Sequence, residues 1–178
     1  MRRWFILSAI GRDRPGLAAE LAQLVLDSDA NLDDSRMTIL GSDFAMILLC
    51  SSSNEEAADR LAVGAKQLER DRGLTILMRH LEDGPRPSLP APDHELYRLE
   101  VAGSDKAGIV AGVCGVLASQ SVNIAELTTR SRPGPGDAPH YEMSLLIEVP
   151  EPLDTAALRA ALDAEADRLV IDLLLAPA

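Results

Sequence analysis

Gly11-Arg12-Asp13-Arg14-Pro15-Gly16-Leu17 recurs 92 residues later as Gly103-Ser104-Asp105-Lys106-Ala107-Gly108-Ile109. Both segments follow an apolar run and open an apolar helical pattern. The same offset carries Leu7 to Leu99, Ala19 to Ala111 and Asn31 to Asn123. These identities fall at turns or on one repeated pattern. A unit of this length, present twice, reads as a duplicated domain and not as a solenoid of short repeats. Pro15 suits the first turn of a helix, where its missing N–H has no intrahelical partner. Leu17, Leu21, Leu24 and Val25 then share one helix face, and Ile109, Val113, Val116 and Leu117 repeat that spacing.

Working outward, residues 3–10 read as a strand, with a helix from Pro15. Asn31 starts a second strand running to about Leu40, and Gly41-Ser42-Asp43 is a hairpin turn. Phe44 to Cys50 is an apolar run suited to a buried strand. Ser53-Asn54-Glu55-Glu56 has capping-box spacing, and Ala58, Leu61, Ala65 and Leu68 give the next helix its inner face. Gly73 ends that helix, and residues 74–79 form a last strand. In the second copy Tyr97–Val101 is a strand, 107–120 a helix and Asn123–Ser131 a strand. The loop Arg132-Pro-Gly-Pro-Gly-Asp-Ala-Pro139 replaces the short hairpin turn. Beyond it the offset becomes 97, so Tyr141-Glu142-Met143 answers Phe44-Ala45-Met46. The insertion is confined to a loop, where added length is cheap. Asp154 caps the last helix, with Leu158, Ala161 and Leu162 inward, and 169–175 closes the unit.

The order β-α-β-β-α-β, written twice, predicts an α+β chain of two tandem ferredoxin-like domains. Each would be a four-stranded antiparallel sheet with both helices on one face. The expected domains are 1–81 and 95–178. Residues 82–94 carry four prolines, which favour extended conformers and withhold ladder N–H groups, so this stretch reads as a semi-rigid linker.

The formal net charge is −11, with acidic residues spread along the chain. That opposes direct binding to nucleic acid, whose affinity rests largely on Lys and Arg. With aromatic residues at only 3%, the cores must rest on aliphatic side chains, and an RNA-stacking sheet surface is not supported. The short apolar run at the N-terminus is broken by Arg12 and Arg14 and reads as a strand, not a leader. No stretch approaches the roughly 20 apolar residues of a membrane span; the spread acidic charge fits the expectation of a cytoplasmic protein. Cys50 and Cys114 sit in apolar patterns and read as buried hydrophobes.

No Ser-His-Asp or Cys-His set has a recognisable spacing, and His80, His94 and His140 fall at element edges or loops. The last two glycines of Gly108-Ile-Val-Ala-Gly112-Val-Cys-Gly115 lie inside the helix, unlike a phosphate loop. No catalytic residue, metal site or cofactor is therefore expected. The helix-start turns carry two readings. One is a plain capped helix. The other is a receptor for a small molecule: the free amides around Gly16, Leu17 and Ala18 suit a carboxylate, Gly16 allows close approach, and Asp13 can cap the amides or meet an ammonium group. Asn31 and Asn123 are either left-handed residues ending a helix or side-chain amides for a ligand. Asp34 and Glu126 correspond, and a solvated face is the plainer reading for both.

At these residues the sequence resembles the ACT domain family of small-molecule sensor modules, across both halves. More narrowly, it resembles the glycine cleavage system transcriptional repressor family of two tandem ACT domains. The carrying segments are Gly11–Leu17, Asn31–Phe44, Arg86-Pro-Ser-Leu-Pro-Ala91 and Val122–Leu127. The resemblance implies amino-acid sensing, with glycine or a small neighbour held by Asp13, Pro15, Gly16 and Leu17 with Asn123, or by Asp105, Gly108 and Ile109 with Asn31. Ala107 departs from the family pattern, which has proline there. The resemblance also implies a negative regulator of glycine cleavage genes that acts through a transcriptional activator protein, and a homodimer. A structural or oligomerisation module, or a sensor subunit of a metabolic enzyme, is the alternative.

Overall fold

A computed structural model describes residues 2–86, 90–133, 139–151 and 153–178. Parts of two segments singled out above, Pro87–Leu89 and Gly134–Ala138, lie outside the described residues. The chain divides into two units, residues 1–85 and 86–178. The first contains β1 (Arg3–Arg12), α1 (Leu17–Asp27), β2 (Asn31–Leu40), β3 (Asp43–Ser52), α2 (Ala57–Arg72) and β4 (Thr75–Leu81). The second contains β5 (His94–Ser104), α3 (Ile109–Ser119), β6 (Asn123–Pro133), β7 (Pro139–Pro150), α4 (Thr155–Leu169) and β8 (Ile171–Pro177).

Each unit is a four-stranded antiparallel sheet, in the orders β2-β3-β1-β4 and β6-β7-β5-β8. The alternation of the central strands sets one face against the helices. Phe5, Leu7 and Ala9 of β1 and Phe44, Met46, Leu48 and Cys50 of β3 are buried with Leu17, Leu21, Leu24 and Val25 of α1 and Leu61 and Ala65 of α2. Leu99 and Val101, then Met143, Leu145, Ile147 and Val149, do the same with Ile109, Val113 and Leu117 of α3 and Leu158 and Leu162 of α4. The predicted fold class is the observed one.

Local departures have physical reasons. α1 begins at Leu17, not at Pro15, because Gly16 is left-handed, with φ 98°. Ser53 does not cap α2; the Asn54 Oδ1 accepts from the Glu56 N–H at 2.9 Å instead. Asp154 does cap α4, accepting from the Ala156 N–H at 2.9 Å. α4 runs on to Leu169, and Val170 turns the chain at φ 57° before β8. β5 starts at His94, inside the stretch read as linker. Just before it, Asp93 accepts from the Glu151 N–H at 2.8 Å.

Candidate functional site

The repeated turn is built the same way twice. Gly16 and Gly108 are left-handed, at φ 98° and 99°, and each immediately precedes its helix. The intrahelical ladder opens with the Glu20 N–H on the Gly16 carbonyl at 2.9 Å and the Gly112 N–H on the Gly108 carbonyl at 2.8 Å. Leu17, Ala18 and Ala19, and Ile109, Val110 and Ala111, therefore have no intrahelical acceptor for their N–H groups. The Asp13 and Asp105 N–H groups tie each turn to the neighbouring hairpin, on the carbonyls of Ser42 (2.9 Å) and Pro139 (3.1 Å).

Neither helix start has a side-chain cap, so Asp13 does not cap the amides. Asp105 instead accepts from the Ser131 hydroxyl at 2.7 Å. The close approach expected at Gly16 occurs at the other repeated glycine of the motif. A Cβ at Gly16 or Gly108 would meet nothing within 4 Å, whereas one at Gly11 would lie 2.7 Å from Leu74 and one at Gly103 2.9 Å from Ile171. Leu17 and Ile109 are each 2% exposed, so their side chains belong to the core and only their backbones face the turn. Asp13, Pro15 and Gly16, with Arg14, Met37 and Phe44, line an open hollow of about 250 Å³.

Asn31 and Asn123 begin β2 and β6 and are not left-handed. The left-handed residues are Asp29 and Ser121, two positions earlier. Each Asn amide donates to a carboxylate that also holds an arginine. In the first unit Asn31 Nδ2 lies 2.9 Å from Asp33 Oδ1, the Arg2 guanidinium lies 2.7 Å from the same oxygen, and Arg2 Nε donates to the Ser51 hydroxyl at 2.9 Å. In the second unit Asn123 Nδ2 lies 2.6 Å from Glu148 Oε2, while the Arg86 guanidinium and the Ala91 N–H (2.9 Å) bind the other oxygen.

The carboxylate has changed strands between copies. Asp33, at the bulge of β2, corresponds to Ala125; Glu148, on β7, corresponds to Ser51. The environments differ as well. The Asp33 side chain is 17% exposed and Glu148 only 1%. Burial pushes the Glu148 carboxyl up, and the hydrogen bonds from Arg86, Asn123 and Ala91 outweigh it, leaving it below the usual carboxylate range. An open hollow of about 470 Å³ lies beside Asn31, lined by Arg2, Asp29, Asn31, Ser51 and Ser52.

Glu148 and Asp33 were not singled out by sequence reasoning. The signal available was a lone acid inside the apolar run Leu145-Leu146-Ile147-Glu148-Val149. Asp34 and Glu126 are exposed, as a solvated face requires. Burial, then the charge of Asp33, pushes the Cys50 thiol up to about 12. Among the described residues no group of three or more His, Cys, Asp or Glu is placed to hold a metal ion. Among them, too, no helix is long and apolar enough to cross a membrane.

Residues 3–79 match the model of the ACT domain family. The chain is 27% identical over 165 residues to the glycine cleavage system transcriptional repressor of Escherichia coli K12, covering 92% of this chain and 84% of that protein. The crystal structure of an unknown protein from Galdieria sulphuraria is 30% identical, with a TM-score of 0.81, over 100% of this chain and 99% of the other. A crystal structure named as a glycine cleavage system transcriptional repressor has a TM-score of 0.73 at 20% identity, over 99% and 97%, and shares the fold.

Proposed function

We propose that this chain, whose residues 3–79 match the ACT domain family, is a non-catalytic, amino-acid-sensing regulator. The observation that carries this reading is the duplicated helix-start turn. In each unit a left-handed glycine presents three N–H groups without intrahelical acceptors. Such an end favours a carboxylate, and an acidic side chain, Asp13 or Asp105, follows the strand beside it. An anion receptor next to a carboxylate suits a zwitterion.

The finer reading is a glycine-responsive negative regulator of glycine cleavage genes. It rests on the relative named as a repressor of that system, whose alignment spans both units. The net charge of −11 opposes direct contact with DNA, and the resemblance implies action through a transcriptional activator protein. A homodimer in the cytoplasm completes the proposal. A ligand alters the contact with the activator only insofar as it binds one conformational state better than another.

Calorimetry with glycine at millimolar concentration is expected to show binding. At 100 times the dissociation constant, bound ligand adds about 2.7 kcal/mol of stability, which a melting curve registers. Deleting the gene is expected to raise glycine cleavage expression without added glycine. Unchanged expression, with no activator recovered on the protein, would reassign it as a sensor or an oligomerisation module in another process.

A further inference from the structure

The two Asn-carboxylate pairs differ in what it takes to break them. Separating Asn31 from Asp33 exposes a surface carboxylate that still holds Arg2 and meets water, which costs little. Separating Asn123 from Glu148 removes a donor from a carboxylate that is 1% exposed. A buried charge deprived of a partner is strongly destabilised. Glu148 also anchors the first residues of the second unit, ahead of β5, through the Arg86 guanidinium and the Ala91 N–H. The turn after Ala91 is fixed too, by the His94 N–H on the Ala91 carbonyl at 3.2 Å and the Glu151 N–H on the Asp93 carbonyl at 2.8 Å.

We propose that Glu148 is a latch: it holds Arg86 and Ala91 against the end of β7 and commits the Asn123 amide to that task, leaving Asn31, whose partner Asp33 is reached by solvent, as the amide that can turn to an amino-acid ligand. The duplicated motifs thus divide the work, one sensing and one holding the chain ahead of β5. The ligand half of this inference rests on the amino-acid reading above; the latch half does not.

Hydrogen exchange tests the latch without any ligand. Ala91 lies between Pro90 and Pro92, which carry no N–H, so its amide can be followed cleanly. In the full-length protein that amide is expected to exchange at least tenfold more slowly than an exposed amide, and Glu148→Ser is expected to abolish the protection. Should Glu148→Ser fail to fold, Arg86→Ala, at a half-exposed side chain, is expected to speed the same amide. Exchange of the wild-type Ala91 amide at the exposed rate, or unchanged in the folded variants, would overturn the latch.

Glycine titration reads the second half. The wild type is expected to bind one equivalent per chain, and Asn31→Ala to weaken that binding at least tenfold more than Asn123→Ala does. Two equal sites in the wild type, or a loss with Asn123→Ala matching that with Asn31→Ala, would overturn the division of work. If glycine binds none of these proteins, the glycine reading falls, and the Ala91 amide still decides the latch.

Discussion

The first unit builds its arginine-carboxylate-asparagine cluster at the surface, and the second builds the same cluster around a buried carboxylate. Arg2 and Asn31, both bonded to Asp33, line an open hollow; Arg86, Glu148 and Asn123 meet at the end of β7. The donors keep their types while the acid moves from a bulge residue to the neighbouring strand. Ser51 and Ala125 fill the vacated positions. After duplication, then, a polar cluster can keep its composition while solvent access decides what it does. The surface version is weakly held and can exchange partners; the buried version stabilises only while every partner stays in place.

The sharpest way to break this comparison is to delete the acid in each copy. Glu148→Ala is expected to cost about 2 kcal/mol, since it takes the acceptor away from the Ala91 N–H and the Asn123 amide. Asp33→Ala is expected to cost less than about 1 kcal/mol, as surface pairs do. Urea denaturation of both variants measures the difference, and equal costs would erase it.

Where the copies agree, they should respond alike. Gly16→Ala and Gly108→Ala each place a Cβ on a left-handed backbone, at a cost of about 1–2 kcal/mol. Neither Cβ would clash, so the penalty is conformational alone. Denaturation midpoints that move for one glycine only would show that the turns are not equivalent.

Acid separates the copies more gently. The folded Glu148 carboxyl titrates below its unfolded value of about 4.3. Its contribution is fully present above that value and is lost as pH falls through the folded one. Glu148→Gln is expected to flatten this part of the stability-pH curve, measured by denaturation between pH 3 and 6. A wild-type curve that the substitution leaves unaltered would remove Glu148 from the account.

The smallest effect concerns reactivity. With the Cys50 thiol pushed up to about 12, only on the order of 10⁻⁴ of it is thiolate at pH 8. Cys114 is half-buried, and burial raises its thiol less far. A thiol reagent is expected to modify Cys114 first and Cys50 only on unfolding, as mass spectrometry of timed samples would record.

The sequence by itself determined the duplication, the strand and helix order and the inner faces. The reason is local. Alternation of period two along Phe5, Leu7 and Ala9, and helical spacing along Leu17, Leu21, Leu24 and Val25, decide which side of an element leaves water. The repeated glycines were legible as turns, although their roles were distributed otherwise: Gly16 and Gly108 for their backbone angle, Gly11 and Gly103 for the approach of Leu74 and Ile171. What only the tertiary structure decided is the partnership of groups far apart in sequence. Glu148 lies 62 residues from Arg86 and 25 from Asn123, and no period connects them. Whether a carboxylate is a solvated surface charge or a buried anchor depends on which segment comes to cover it. That is settled by sheet register and chain path, not by the identity of its neighbours in sequence.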